Sequence, residues 1–192
     1  MTFKWFISWI LVFPLLKLLT GIRINGSVPK KGSFIIACNH VSFFDPPIVG
    51  ACAAREIHFL AKIDLFENLK VFARLIKAYN AIPISGIQGL RTAMKLLKKG
   101  AVVVIFPEGT RSKKGHMLPF NPGVSYLATN LGIPVIPTYI ANSNKRFLQL
   151  VLRSDRLKIS FGKPISPVGY ENNREDMERF SQRLKEAVLK LR

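Results

Sequence analysis

The chain has 192 residues with 29 Lys and Arg against 11 Asp and Glu, a formal net charge of +18, and its 48% hydrophobic content excludes a disordered chain. Such a charge calls for a polyanionic partner, nucleic acid or an anionic membrane face, and the positive mean hydropathy of +0.21 favours the membrane. No helix-turn-helix, zinc or aromatic-sheet signature accompanies the charge, so no nucleic-acid partner is expected.

The opening residues 5–19 read WFISWILVFPLLKLL, with Lys4 before them and Pro14 and Lys17 inside. The run is short for a bilayer span and no small-residue cleavage site follows it. A helix lying in or dipping into one leaflet is expected, its tryptophans near the headgroups; a terminal helix packed on the domain is the alternative. Residues 1–20 are thus taken as a membrane-associating segment and 21–192 as the domain.

Beyond a turn at 29–32, strands are expected over 22–28, 33–38 and 57–61, with a small-residue helix over 47–54. Asp64 to Glu67 has the form of a capping box, and Leu65, Leu69, Phe72 and Ile76 fall on one helical stripe. A short strand over 81–84 precedes an amphipathic helix over 88–99. Residues 101–106, AVVVIF, are apolar on both faces, as at the centre of a covered sheet. A helix over 123–130 closed by Gly132, a buried strand over 135–140, and strands over 147–152 and 157–161 follow. Met177, Phe180, Leu184, Val188 and Leu191 mark a terminal amphipathic helix. Strands alternating with helices define a single α/β domain with a mostly parallel central sheet flanked by helices.

Two loops carry the chemistry. In residues 38–47, CNHVSFFDPP, His40 and Asp45 are five apart, a spacing that brings side chains together only across a turn. Pro46 keeps Asp45 out of the helical region and Pro47 suits a first turn, so a helix starting just after Asp45 is expected. The carboxylate can then hold one imidazole nitrogen while the other takes a proton from an alcohol. The bland alternative is Asp45 as a helix cap beside an ordinary loop histidine. The second loop, FPEGTRS over 106–112, leaves the most apolar strand. Loops at strand carboxyl ends collect ligands, so the two loops can share a crevice. Gly109 permits close backbone approach, Thr110 and Ser112 offer hydroxyls, Arg111 offers a fork for phosphate, and Glu108 can orient that arginine.

Together, Asn39-His40 to Asp45 and Phe106 to Ser112 strongly resemble the glycerolipid acyltransferase family, which includes the lysophosphatidic acid acyltransferases. Ile133-Pro134-Val135-Ile136-Pro137 resembles that family's fourth block. The resemblance implies His40 as base, Asp45 as its orienting carboxylate, and Glu108, Gly109, Thr110 and Arg111 at the acceptor phosphate; Pro134 would pack near the acyl donor. Two departures bear on the acceptor. The family's second block carries an arginine, whereas residues 80–86 here read NAIPISG; Arg91 is the substitute considered, with Lys62 as a further phosphate contact. Asn121 stands where relatives often have a basic residue.

The resemblance implies a direct acyl transfer from acyl-coenzyme A or acyl-carrier protein to a lysophosphatidic acid hydroxyl, with neither metal nor cofactor. Neither Ser42, which lacks a base of its own, nor Cys38, expected to point into the core, is implied as nucleophile. Glycerol 3-phosphate, another lysophospholipid or a lyso-aminolipid remain alternative acceptors, and a non-catalytic membrane-binding protein the alternative class. The cytoplasmic face of the inner membrane is the expected location, which suits Cys38 and Cys52 as reduced core residues.

Overall fold

The computed structural model describes residues 2–63, 66, 73–74, 76–77, 79–84, 86–112, 116–145, 149–150 and 155–192. Seven strands form one sheet: β1 (Arg23–Asn25), β2 (Phe34–Cys38), β3 (Ile57–Lys62), β4 (Ala81–Ile84), β5 (Val102–Ile105), β6 (Val135–Ala141) and β7 (Lys158–Phe161). Their order is β1-β7-β6-β2-β5-β3-β4. Neighbours from β6 to β4 are parallel, whereas β7 runs antiparallel to β6 and β1 parallel to β7. The five labelled helices are α1 (Phe3–Thr20), α2 (Asp45–Ala53), α3 (Gly86–Lys98), α4 (Gly123–Leu131) and α5 (Arg174–Leu189).

The apolar runs without alternation make the central strands, and both faces of these strands are covered. Phe34, Ile36, Val102 and Val104 face one core with Ile48, Val49 and Trp5; Ile35, Val103 and Val135 face the other with Leu97, Leu127, Phe180 and Leu184. Each such buried aliphatic contributes about 1.5–3 kcal/mol, which fixes the register of β2, β5 and β6.

That register sets the site. Ala37 pairs with Ile105 and Cys38 with Thr138, so β2, β5 and β6 release their chains at one edge. Lys62 and Ile84, paired across β3 and β4, end at the same edge.

Helix α1 is apolar all round and carries an inward stripe of Trp5, Trp9, Phe13, Leu16 and Thr20. Trp5 is buried against Gly50, and Trp9 Nε1 donates to the Ala51 carbonyl at 3.0 Å. The tryptophans therefore face the domain and not a headgroup layer: the two widest side chains bury most area against the small residues of α2. The opposite side stays apolar and exposed, with Phe3, Leu11, Leu15 and Leu18 at 79%, 66%, 55% and 72%. Among the described residues no helix is long and apolar enough to cross a membrane.

Other expectations shift locally. Helix α2 begins at Asp45, one residue early, because Ile48 N already closes a turn on the Phe44 carbonyl and both prolines occupy first-turn positions whose amides have no helical acceptor. Within the strand expected over 147–152, Gln149 and Leu150 are helical and the rest lies outside the described residues. A short apolar run does not distinguish the two states, and Leu150 is buried from one side. Asp64, Leu65, Leu69 and Phe72 of the expected stripe also lie outside.

Candidate active site

The turn leaving β2 is organised by the Asp45 carboxylate, which is fully buried. Its Oδ2 accepts the backbone amides of Val41 and Ser42, each at 2.8 Å, and lies 2.7 Å from His40 Nδ1. An oxygen that already accepts two amides acts as an acceptor toward the ring as well. Nδ1 therefore carries the hydrogen, and Nε2 presents a lone pair. No hydrogen bond engages Nε2 among the described residues, and the ring retains 18% exposure. Thus Asp45 is no simple helix cap: its Oδ2 serves the loop before the helix.

The other carboxylate oxygen, Oδ1, accepts from the buried hydroxyl of Ser143 at 2.5 Å. Ser143 follows β6, and its link to Asp45 crosses 98 positions in sequence. Asn39 ties the same strand end, accepting from Ile140 N at 2.7 Å and donating to its carbonyl at 3.0 Å.

The loop leaving β5 grips residue 40 from both sides. Glu108 Oε1 accepts the His40 amide and Oε2 the Leu118 amide, each at 2.8 Å. Ser112 N donates to the His40 carbonyl at 2.8 Å. Alternation along β2 and β5 turns His40 and Phe106 to the same face, where their rings stack at 4.2 Å and 24°.

Burial raises the Glu108 pKa, opposed by the two amides and by nearby His40, while Asp45 adds to the rise. Glu108 does not orient Arg111, because its two oxygens accept the His40 and Leu118 amides. Arg111 instead lies over the Phe43 ring, its guanidinium carbon 3.4 Å from the centroid.

Gly109 adopts φ +67°, and its amide closes a turn on Phe106 and is spent there. Thr110 is exposed beside it. The Ser112 hydroxyl is buried and donates to the His116 carbonyl at 2.6 Å, so it is not offered to a ligand.

Lys62 ends β3 at the site edge, with its side chain outside the described structure. Arg91 is exposed on the second turn of α3, and no hydrogen bond or ion pair joins it to either loop among the described residues. Pro134 is half-buried before β6 at the opposite end of that strand, and its carbonyl accepts Ile35 N at 3.1 Å, a place in the sheet remote from the two loops.

Neither alternative nucleophile is available. Burial first, then Asp45 and Glu108, push the Cys38 thiol well above its ordinary pKa of 9.0. Ser42 is buried and its Oγ accepts the Phe44 amide at 3.2 Å.

The chemistry open to this arrangement is proton abstraction by a carboxylate-held imidazole beside a cation. An acyltransferase family model matches residues 21–141, and the chain belongs to that family. It is 29% identical over 191 residues to a 1-acyl-sn-glycerol-3-phosphate acyltransferase of Bacillus subtilis, covering 92% of this chain and 93% of the relative. A protein of the same name from Cocos nucifera is 27% identical over 176 residues, 88% of this chain but 55% of the longer relative. In fold, the chain is similar to the crystal structure of a 1-acyl-sn-glycerophosphate acyltransferase from Thermotoga maritima. The TM-score is 0.69, covering 96% of this chain and 81% of the other at 23% identity.

Proposed function

We propose that this acyltransferase moves a fatty acyl group from a thioester, acyl-coenzyme A or acyl-carrier protein, to the free hydroxyl of lysophosphatidic acid, making phosphatidic acid for phospholipid biosynthesis. His40 Nε2 takes the hydroxyl proton as the oxygen attacks the thioester carbonyl. Asp45 holds Nδ1–H and compensates the charge the ring acquires. Collapse of the tetrahedral adduct breaks the carbon–sulfur bond, and the proton held on His40 leaves with the thiolate. The observation that carries this reading is the free Nε2 of a histidine whose other nitrogen is fixed at 2.7 Å by a fully buried carboxylate.

Arg111 supplies the fork for the acceptor phosphate; Thr110 lies beside it, and Gly109 shapes the turn carrying both. Lys62, at the end of β3, and Arg91, on α3, are secondary contacts. The exposed apolar side of α1 and the +18 charge suit a protein seated on anionic lipid at the cytoplasmic face of the inner membrane.

A second reading changes only the acceptor, to glycerol 3-phosphate, another lysophospholipid or a lyso-aminolipid. The observation favouring it is that β4 ends in Pro83-Ile84 with no arginine following before Arg91. Purified protein on vesicles, offered each acceptor with each donor and its products weighed by mass spectrometry, separates the two. Phosphatidic acid as the main product supports the first reading; product from another acceptor alone moves the substrate; no product from folded, vesicle-bound protein overturns both.

A further inference from the structure

Phe43 lies between His40 and Asp45, in a position the proposed chemistry leaves without a task. Phe43 is 58% exposed and its neighbour Phe44 68%, and of the two it is Phe43 whose ring meets a cation. One face of that ring is covered by Arg111 at 3.4 Å from the centroid, which is van der Waals contact between a flat cation and a flat ring. The backbones beneath are also joined, since Ser112, next to Arg111, donates to the His40 carbonyl. No carboxylate or carbonyl pairs with the guanidinium among the described residues, so stacking is what holds it. A stacked guanidinium keeps its N–H groups in its own plane above the ring and pointing outward, free to take two oxygens of a phosphate.

We propose that Phe43 is a positioning residue for acceptor recognition: it fixes the plane of Arg111, so that the phosphate is received at a set distance from His40. The two motif loops then act as one unit, the first supplying both the base and the platform for the cation of the second. The inference rests on the proposed function, because it presupposes a phosphate-bearing acceptor.

The test is a double-mutant cycle of Phe43→Leu and Arg111→Ala, with Phe43→Tyr as the conservative variant, read as KM and kcat for lysophosphatidic acid. The expected result is a KM raised about tenfold in Phe43→Leu, the range of one cation–π contact, with kcat within about twofold. Phe43→Tyr should restore KM, and Phe43→Leu should add nothing once Arg111 is alanine. An equal KM rise in both Arg111 backgrounds would overturn the inference and assign Phe43 to lipid contact. A fall in kcat without a change in KM would overturn it in favour of a role in the His40 loop. Wild-type protein that uses no phosphate-bearing acceptor overturns the proposed function itself, a result distinguishable because it appears before any substitution.

Discussion

The Glu108 carboxylate accepts the backbone amide of His40, and in doing so joins the loop after β5 to the residue that offers the base. The same glutamate takes the Leu118 amide, and Ser112 returns a hydrogen bond to the His40 carbonyl. Residue 40 is thus held at both its peptide groups, and the imidazole direction follows from a rigid backbone. In Glu108→Gln one buried amide loses its acceptor and the loop shifts. The expected fall in kcat/KM is about 100-fold, the cost of misplacing a catalytic group by about 1 Å.

Glu108 also makes stability depend on pH. Burial raises Glu108 above its ordinary pKa of 4.5, so its stabilising contribution is complete below 4.5 and is lost as pH rises through the raised value. Thermal melts across pH should show wild type gaining on Glu108→Gln as pH falls toward 4.5. A constant difference between the two would contradict the assignment.

Ser143 is the anchor of the carboxylate. Ser143→Ala leaves Asp45 Oδ1 buried without its donor, an expected loss of about 1–3 kcal/mol. Activity should fall further than stability does, because a carboxylate held through Oδ2 alone fixes Nδ1 less firmly. Chemical denaturation with parallel steady-state rates checks both, and an unchanged rate would remove Ser143 from the site.

Gly109 combines a left-handed backbone with close approach. A Cβ there would lie 2.7 Å from Asn121 Nδ2 at φ +67°. Gly109→Ala should cost about 1–2 kcal/mol of backbone strain. Adding Asn121→Gly removes the overlap and leaves the strain, so the double variant should recover only part of the loss in a urea titration.

The two sides of α1 separate under mutation. Trp9→Phe removes the hydrogen bond to Ala51 and should lower stability by about 1 kcal/mol. Leu15→Gln with Leu18→Gln alters only exposed positions and adds no charge. It should leave the melting temperature unchanged and reduce sedimentation with anionic vesicles; unaltered sedimentation would count against α1 as the lipid contact.

The sheet was legible because 101–106 and 33–38 are short, apolar without alternation and, in 101–106, rich in β-branched residues, as suits a strand covered on both faces. The meeting of His40 and Asp45 was legible because side chains five apart come together only across a turn. The partner of Glu108 was not: a glutamate one residue from a glycine and three from an arginine suggests an ion pair, while its acceptor capacity goes to amides set by the register of β2 and β5. Ser143 left no local signal, since its contact depends on β6 lying beside β2. Nor could the direction of Trp5 and Trp9 be read, because a helix apolar all round has no face until α2 presents its small residues.

The most direct measurement is single-turnover acyl transfer to lysophosphatidic acid by His40→Ala, beside Asp45→Asn and wild type, with each variant's fold checked by its melt. A rate lowered by about 10²–10⁴ in His40→Ala with acceptor binding retained, and a comparable loss in Asp45→Asn, is the expected result. Transfer at near wild-type rate by folded His40→Ala would contradict the account, placing the base elsewhere.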